Sequence, residues 1–253
     1  MDSISIVIPA YNEERRLPST LDAVIAYLAR KNFGFSEIVV VDDGSRDGTA
    51  VLVERRKHPK LRLVKNPGNR GKGYTVRHGM LEAAGEWILY SDADLSAPIE
   101  ELDKLIAAVE REGAQVAIGS RALDRSLVGV HQSAFREMSG RAFNFVMRMV
   151  TGLPFRDTQC GFKFFRADAA RAIFSRQTLD GFSFDVEDLV IAKMLGIKTI
   201  EVPVVWNNVE GTKVSAFSGA ASFAALVGIR GRALAGRYTA APKESEVSSQ
   251  QSE

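Results

Sequence analysis

The stretch Trp87-Ile88-Leu89-Tyr90-Ser91-Asp92-Ala93-Asp94 is an apolar run that ends in two carboxylates. Successive side chains of a strand point to opposite faces, so Asp92 and Asp94, two positions apart, point the same way. Magnesium prefers one or two carboxylates together with substrate phosphates. The pattern predicts a buried strand followed by a site for Mg²⁺ or Mn²⁺. An acidic turn that caps the next helix is the alternative.

Two other apolar runs also end in polar clusters. Pro9-Ala10-Tyr11-Asn12-Glu13 follows the first run, and Asp42-Asp43-Gly44-Ser45 follows the second. In open α/β sheets, ligands bind beyond the carboxyl ends of the strands, where these clusters would meet. Three acid-bearing turns at one edge make an anionic pocket, which is costly unless it holds cations or hydrogen-bond donors. A nucleotide diphosphate with a metal meets that need, although Asn12 or Asp42 can equally cap a helix or shape a turn.

Strand-like and helix-like runs alternate through the first half of the chain. The predicted strands are 4–8, which Pro9 is expected to end, 37–41, 61–64, 87–90 and 115–118, and the predicted helices are 17–30, 50–57, 74–84 and 98–111. This alternation predicts an α/β fold with a mostly parallel sheet flanked by helices. The second half is expected to add helices at 133–150, 171–174 and 185–195, and a strand at 199–206 that Pro203 places at an edge.

Composition and charge are those of an ordinary globular protein. The 253 residues include 33 basic and 31 acidic side chains, for a net charge of +2, so the overall charge does not indicate a nucleic-acid partner. A lone Cys160 excludes an internal disulfide. The N-terminus has no leader-like pattern, and no apolar run approaches the roughly 18 residues of a spanning helix. We expect one domain over 1–238, with a nucleotide-binding half (1–121) and an acceptor half (122–238), and a disordered polar tail over 239–253.

A glycine-rich basic segment, Asn66-Pro67-Gly68-Asn69-Arg70-Gly71-Lys72-Gly73, precedes a predicted helix. Its backbone N–H groups, the helix dipole and Lys72 are candidates for contact with a phosphate or a nucleotide. The glycine spacing matches neither a P-loop nor a dinucleotide-binding fingerprint. By itself the segment is more typical of a flexible turn.

Together these segments resemble the family 2 glycosyltransferases of GT-A fold. Five motifs stand in that family's order: 9–13, 41–45, 69–73, 91–94 and 119–121. The second half narrows the resemblance to the dolichyl-phosphate β-glucosyltransferases, through Arg156-Asp157-Thr158-Gln159-Cys160-Gly161-Phe162-Lys163, Phe184-Asp185-Val186-Glu187-Asp188, and Trp206 followed by Glu210-Gly211-Thr212-Lys213. The resemblance covers about residues 4 to 235. It implies transfer of glucose from UDP-glucose to a polyprenyl (dolichyl-type) phosphate.

The resemblance also implies a role for individual residues. Asp92 and Asp94 would hold the metal, and Arg121 and Lys213 would face the phosphates. Related mannosyltransferases carry an Arg shortly before that Lys, where this chain has Asn207 and Asn208, which favours the glucosyl type. The residues implied to bind the nucleotide-sugar donor are Pro9, Tyr11, Glu13, Asp43, Lys72, Asp92, Ala93 and Arg121, and those implied in catalysis are Asp94, Asp157 and Lys213.

The implied acceptor is a phosphate monoester. Its second pKa is about 6, so it is mostly dianionic and already nucleophilic near neutral pH. A strong general base is therefore dispensable, and back-side attack would invert the sugar linkage. Asp157, Asp185, Glu187 and Asp188 are candidate acids near the acceptor, for orientation as readily as for proton transfer. Asp157 ranks first because it lies in the 156–163 motif.

A lipid acceptor implies contact with a membrane surface. The predicted helix 133–150 is basic and amphipathic, with Arg136, Arg141 and Arg148, as expected of an interfacial helix. A core-packing helix with a solvated Arg face is the alternative, and 217–234 is a second candidate for membrane contact. We expect a cytoplasmic protein associated peripherally with the cytoplasmic face of the membrane.

Three other functions are compatible with parts of the pattern. One is a polyprenyl-phosphate mannosyltransferase that uses GDP-mannose. A sugar-nucleotide pyrophosphorylase would carry a glycine-rich loop directly after the first strand, where this chain has 9–13 instead. A catalytically silent sugar-nucleotide-binding protein would be expected to lose acids at the metal position, where Asp92 and Asp94 are both present.

Overall fold

The computed structural model describes residues 1–127, 147–207 and 218–240. Its strands are β1 (Ser3–Ala10), β2 (Phe35–Asp42), β3 (Leu61–Lys65), β4 (Trp87–Ser91), β5 (Val116–Ser120), β6 (Phe162–Arg166) and β7 (Thr199–Pro203). Its helices are α1 (Leu17–Arg30), α2 (Thr49–Arg55), α3 (Lys72–Glu82), α4 (Leu102–Glu112), α5 (Ala167–Phe174), α6 (Phe184–Met194) and α7 (Ser218–Leu234). A 3₁₀ turn (Ile99–Glu101) leads into α4, and another spans Arg125–Leu127.

The strands form one sheet in the order β3-β2-β1-β4-β6-β5-β7. Four of the pairings are parallel, so the predicted mostly parallel sheet is confirmed. Strand β6 is antiparallel to both β4 and β5 and lies between them. No strand was predicted at 162–166, and this strand from the second half of the chain lies inside the sheet formed mainly by the first half. Strand β7 lies at an edge, as Pro203 predicted.

Alternation of side chains along the strands divides the core into two layers. On β1, Ile4, Ile6 and Ile8 face a cluster built with α1 and α4. Val7 faces the opposite cluster, built with α3, α5, α6 and α7. The sheet is therefore covered on both faces, which explains why its central strands are continuous apolar runs rather than alternating ones.

Helix α1 has the bounds that its apolar spacing predicted. Leu17, Leu21, Val24 and Leu28 are all buried against the sheet. The expectation that Pro9 ends β1 is wrong, because the strand continues to Ala10. The β1–β4 pairing stops at Val7, so Pro9 pairs on one side only, with Val41, and a missing N–H donor is tolerated there.

The predicted helix 133–150 falls mostly outside the described residues, which include its last turn as helix at 147–151. The predicted apolar segment 217–234 corresponds to α7. Within the described ranges no helix has both the length and the apolar character needed to cross a bilayer. The predicted tail 239–253 is described only at residues 239 and 240.

Helix α3 approaches the sheet closely through a glycine. A Cβ at Gly79 would lie 2.5 Å from Val7 Cγ1 and 2.7 Å from Val41 Cγ2. A helix of ordinary side chains would therefore stand farther from β1 and β2. The approach sets the depth of α3 and thus the position of Lys72 at its first turn.

We predict that Gly79→Ala lowers the free energy of unfolding by about 1–3 kcal/mol, because the new methyl overpacks two strand valines. The matched control is Gly231→Ala in α7, where nothing lies within 4 Å of the added Cβ. That change should raise stability by up to about 1 kcal/mol through helix propensity. Urea unfolding of both variants checks the prediction, and a stabilised Gly79→Ala protein would contradict it.

Candidate active site

A cleft of about 400 Å³ opens at the carboxyl edge of β1, β2 and β4. All three strand-end clusters that the sequence singled out contribute to it. Nearly all of the predicted donor-binding residues line the cleft, with Arg121 the exception. Its lining comprises Pro9, Ala10, Tyr11, Glu13, Arg16, Asp43, Asn69, Gly71, Lys72, Thr75, Asp92, Ala93, Asp94 and Phe182.

The cleft carries an excess of negative charge. Among the described residues, four lining side chains are carboxylates (Glu13, Asp43, Asp92 and Asp94) and two are cations (Arg16 and Lys72), so their formal excess is two negative charges. One divalent cation would balance that excess. Within residues 1–127, 147–207 and 218–240 no group of three or more His, Cys, Asp or Glu side chains is placed to hold a metal. Asp92 and Asp94 supply the one or two carboxylates that Mg²⁺ or Mn²⁺ takes from a protein when phosphate and water complete its coordination.

Asp92 is held in place by three neighbours. Its Oδ1 accepts hydrogen bonds from Lys72 Nζ at 2.8 Å and from the Tyr90 hydroxyl at 2.9 Å. Its N–H donates to the Gly161 carbonyl, and a Cβ at Gly161 would lie only 2.0 Å from Asp92 Oδ2. Burial by itself would lower the pKa of Lys72, but Asp92 foremost and Asp185 next raise it above its usual value. The Lys72 ammonium beside Asp92 therefore stays protonated and positively charged.

Asp94 has a different environment two residues farther along. Its Oδ1 accepts a hydrogen bond from the N–H of Ser96 at 3.0 Å, a tight turn in which Leu95 has a φ of +45°. Between the two acids, the Ala93 carbonyl accepts from the Thr20 hydroxyl on α1. The turn is thus fixed from both sides, and both carboxylates remain part of the cleft wall.

Glu13 and Arg16 form a bidentate ion pair at the start of α1. The guanidinium Nε and Nη2 each lie 2.6 Å from a Glu13 oxygen. The hydrogen bond to Glu13 raises the pKa of Arg16, with smaller contributions from Asp94 and Asp92. Arg16 thus brings a second cation to the acid pair, three residues from a motif residue that the sequence did identify.

Asp43 organises the glycine-rich segment. Its Oδ1 accepts from the Arg70 N–H and the Asn66 side-chain amide, both at 2.8 Å, and its Oδ2 accepts from the Gly71 N–H at 2.9 Å. This buried carboxylate therefore shapes one wall of the cleft as well as lining it. Its predicted contact with a nucleoside stays a prediction.

The backbone donors at the start of α3 are also used within the protein. The Asp180 carbonyl accepts from the N–H groups of Gly73, at 2.7 Å, and Tyr74, at 3.3 Å. Together with the two donors bound to Asp43, this leaves the segment without the open cluster of N–H groups that a phosphate loop presents. Lys72, through its side chain, is the cation that the segment places in the lining of the cleft.

Asn12 and Asp42 both shape turns, which is one of the alternative roles that the sequence left open for them. The Asn12 side-chain oxygen accepts from the Arg46 N–H at 2.8 Å, with φ of Asn12 at +54°. Both Asp42 oxygens accept from the Ser45 N–H at 3.3 Å. The Asn12–Arg46 contact joins the two strand-end turns, and the Asp42–Ser45 contacts close the second of them.

Arg121, which is partly exposed, and Asp157, which is buried, form an ion pair beside the cleft. Arg121 Nε and Nη2 donate to the two Asp157 oxygens at 2.6 and 2.8 Å, and the Arg121 guanidinium lies over the Trp206 ring at 4.8 Å. Glu201 on β7 accepts from the backbone N–H of Asp157, which fixes the loop. Burial opposes ionisation of Asp157, but Arg121 outweighs it and lowers the pKa of this carboxyl. Among the roles open to Asp157, this geometry favours orientation of Arg121 over proton transfer.

The other candidate acids lie on α6, beneath the cleft. Lys163 forms an ion pair with Asp185, and burial raises the pKa of Asp185 despite that cation. Glu187 is completely buried and accepts from the N–H groups of Thr178 and Leu179 and from the Tyr238 hydroxyl, so it anchors the loop that follows α5. These two acids are engaged within the fold.

Asp188, the third acid of α6, is also buried. Its Oδ1 has no hydrogen-bond partner among the described residues. Burial first, and then the charges of Asp185 and Glu187, raise its pKa well above the usual range, which favours the neutral form. Lys213, the remaining predicted catalytic residue, lies outside the described residues.

Besides Arg16, three further participants were not predicted from the sequence. Phe182 reaches the cleft from the loop before α6 and is 53% exposed. Gly161 packs against Asp92, and Tyr90 donates to it. Gly161 and Tyr90 lay in stretches already singled out, whereas no local pattern connects Phe182 with the strand ends.

The sequence matches the glycosyl transferase family 2 description over residues 5–174. It is 39% identical over 228 residues to a dolichyl-phosphate beta-glucosyltransferase of Drosophila melanogaster, a match that covers 85% of this chain and 70% of that protein. It is 36% identical over 247 residues to one of Dictyostelium discoideum, covering 92% and 75%. The fold matches glucosyl-3-phosphoglycerate synthase from Mycobacterium tuberculosis in complex with Mn²⁺, UDP-glucose and phosphoglyceric acid, with a TM-score of 0.66, 19% identity, and coverage of 91% and 80%.

We predict that Asp157→Asn lowers the free energy of unfolding by about 1–3 kcal/mol at pH 7, because it leaves the partly exposed Arg121 charged and without its carboxylate partner. The native pKa of Asp157 is lowered, so the pair's contribution is complete above the unfolded value of about 4 and is lost as pH falls through the native one. The difference between wild type and variant should therefore shrink in acid. Denaturant unfolding at several pH values measures it.

The control for this change is Asp168→Asn, which breaks another bidentate arginine pair, with Arg166, that is exposed. Exposed pairs contribute about 1 kcal/mol or less. Equal losses of unfolding free energy in the two variants would show that the Arg121–Asp157 pair stabilises the fold no more than an exposed pair does.

Proposed function

Because the chain belongs to glycosyl transferase family 2, we propose that it transfers glucose from UDP-glucose to a polyprenyl phosphate of the dolichyl type, with Mg²⁺ or Mn²⁺ at Asp92 and Asp94. The chain is a glycosyltransferase of GT-A fold. The observation that carries the proposal is the cleft itself. Three acid-bearing strand ends meet in it, and the described side chains that line it carry a formal excess of two negative charges.

The position and chemistry of the cleft support a nucleotide-sugar donor. It lies beyond the carboxyl ends of parallel strands, where α/β sheets bind nucleotides. Pro9, Tyr11, Glu13 and Asp43 line the cleft and would hold the nucleoside, while the acid pair in the same cleft would meet the diphosphate. A protein of the same fold was crystallised with Mn²⁺ and UDP-glucose, which supports this choice of donor and cation.

The relatives support the sugar and the acceptor. Proteins 36–39% identical to this chain over most of its length are dolichyl-phosphate beta-glucosyltransferases by name. Attack on the face opposite the leaving diphosphate inverts the anomeric carbon, so an α-linked donor gives the β-linked product that these names specify. The sequence departure at Asn207 and Asn208 points towards the same glucosyl type.

The reaction breaks the bond between glucose and the donor diphosphate, so negative charge grows on the leaving group. A bound divalent cation would stabilise that charge electrostatically. Lys72 and Arg16 are the cations that the described part of the chain places in the cleft, and Arg121 lies next to it. Asp157 would position Arg121, since both of its oxygens accept from that guanidinium.

The acceptor side needs little base catalysis. A phosphate monoester is mostly dianionic near neutral pH and can attack without losing a proton to the protein. This agrees with the engagement of Asp157, Asp185 and Glu187 in bonds within the fold. Asp157 and Asp185 hold the cations of Arg121 and Lys163 in place, and Glu187 holds the loop that follows α5.

We predict that Asp94→Asn reduces glucosyl transfer to polyprenyl phosphate by at least about 100-fold, because the variant loses a metal-binding charge that acts on the transition state. The fold should persist, since one partly exposed acid rarely contributes much to stability. Product formation from UDP-glucose is measured by mass spectrometry of the lipid fraction, and unfolding is measured separately.

Asp22→Asn is the matched control, because it makes the same change at an exposed acid on α1 that pairs with Arg56 away from the cleft. It should keep full activity. EDTA should abolish wild-type turnover, and GDP-mannose should be a much poorer donor. Undiminished turnover in EDTA would exclude the metal, and preferred use of GDP-mannose would replace the glucosyl assignment with the mannosyl one.

We further propose that α7 contacts an anionic membrane surface, in keeping with a lipid acceptor. Val227 and Leu234, seven residues apart on one face, are 65% and 75% exposed. Arg230 on that helix and Arg237 just beyond it are exposed as well. Apolar side chains beside arginines suit the boundary between acyl chains and anionic headgroups. In the predicted helix 133–150, Arg148 is exposed, and Arg136 and Arg141 lie outside the described residues.

We predict that Val227→Ser with Leu234→Ser weakens binding to phosphatidylserine vesicles about tenfold or more, because two apolar side chains no longer leave water. Vesicle sedimentation at low salt measures it. The control pair is Val51→Ser with Leu81→Ser, exposed apolar residues on α2 and α3, which should leave sedimentation unchanged. Equal sedimentation of both pairs would exclude α7 as the membrane contact.

A further inference from the structure

The Oδ1 atom of Asp92 already has a full set of partners within the protein. Lys72 Nζ and the Tyr90 hydroxyl both donate to Oδ1, at 2.8 and 2.9 Å, and these two bonds use its two lone pairs. Gly161 lies against Oδ2 so closely that a Cβ there would stand 2.0 Å away. A divalent cation therefore cannot use Asp92 Oδ1 until a donor has left.

Lys72 is the donor that can leave. Tyr90 is buried in the core on β4, whereas the Lys72 side chain is 28% exposed and lines the cleft. Its ammonium lies 5.9 Å from the centre of the Tyr90 ring and 6.0 Å from that of Phe182. The four-carbon stem gives it a range of positions between the acid and the open space of the cleft.

Asp94 contrasts with Asp92. Its Oδ1 accepts from the backbone N–H of Ser96, and it forms no ion pair with a side chain of residues 1–127, 147–207 or 218–240. One acid of the pair is thus open to a cation while the other is neutralised internally. The two carboxylates are not equivalent before the donor arrives.

We propose that Lys72 is an internal counter-ion that competes with the divalent cation for Asp92 and is displaced when the metal and a nucleoside diphosphate enter together. This inference rests on the proposed metal-dependent function and assigns Lys72 a positioning role within it. In the free protein Lys72 holds Asp92 neutralised and oriented. Once displaced, the ammonium turns to the diphosphate that has entered, so its charge is paired in both states.

The competition has a thermodynamic consequence. Lys72 lowers the affinity for metal alone, and the diphosphate relieves that effect by offering the ammonium another partner. Metal and nucleotide are then positively coupled, and each raises the affinity of the other by the same factor. Part of that coupling should disappear when the ammonium is removed.

The experiment measures Mn²⁺ binding by electron paramagnetic resonance of free Mn²⁺, using the full chain with and without saturating UDP. Without UDP, Lys72→Met should bind Mn²⁺ at least about fivefold more tightly than wild type, a factor at the low end of typical couplings. With UDP that gain should vanish or reverse. Unchanged or weaker Mn²⁺ binding by Lys72→Met without UDP would overturn the proposal.

Arg16→Gln is the matched control, because it removes the other cation that the described residues place in the cleft, and this cation is bonded to Glu13 and not to Asp92. Its gain in Mn²⁺ affinity should be clearly smaller than that of Lys72→Met, because it removes a nearby charge but frees no oxygen of Asp92. If it tightens binding as much as Lys72→Met does, the general charge of the cleft is responsible and the competition is excluded. Thermal unfolding of both variants confirms that each is folded in the binding assay.

The wild type separates this inference from the proposed function. If it binds no Mn²⁺ even with saturating UDP, the metal-dependent function fails, and the inference fails with it. If it binds Mn²⁺ with UDP while Lys72→Met matches it under both conditions, the function stands and only the role of Lys72 is wrong.

Discussion

The pairing of β4 with the antiparallel strand β6 is the constraint on which the site depends. Its register sets Tyr90 opposite Lys163 and Ser91 opposite Phe162. Beyond the paired residues, the Gly161 carbonyl accepts from the Asp92 N–H, so the chain that enters β6 lies directly against the first acid of the cleft. The motif that supplies Asp157, Gly161 and Lys163 is thus held at the cleft by the backbone hydrogen bonds between β4 and the chain that enters β6.

The same pairing decides how the buried charges are compensated. Lys163 is 1% exposed and is satisfied by the Cys160 carbonyl and by Asp185, with its ammonium 5.7 Å from the centre of the Tyr90 ring. A buried charge is tolerated only where such partners are complete. The same compensation continues from Lys163 towards the cleft, because the hydroxyl of Tyr90 donates to Asp92, which also pairs with Lys72. Alternating charges therefore connect α6 to the cleft, and their order is fixed by the sheet.

Much of the fold was readable from local patterns. Apolar spacing predicted the bounds of α1 and the positions of the early strands, and Pro203 predicted the edge position of β7. The three acid-bearing strand ends do meet in one cleft. Strand β6 was not readable, because its charged Lys163 is buried against Asp185, a partner 22 residues away, and local hydrophobicity does not record such a pair. Phe182 and the contact of Gly161 with Asp92 were missed for the same reason, since each depends on elements distant in sequence.

The glycine-rich segment shows how a partner distant in sequence limits what a loop can offer to a ligand. Its glycines are required where the loop before α6 approaches: a Cβ at Gly71 would lie 2.6 Å from the Asp180 carbonyl oxygen, and one at Gly73 would lie 2.4 Å from that of Leu179. Because those carbonyls lie so near, the Asp180 oxygen takes the N–H donors of α3 that an anion would need. The glycines thus join the two halves of the chain around Lys72, and the loop that supplies Phe182 is held at the cleft by the same contacts.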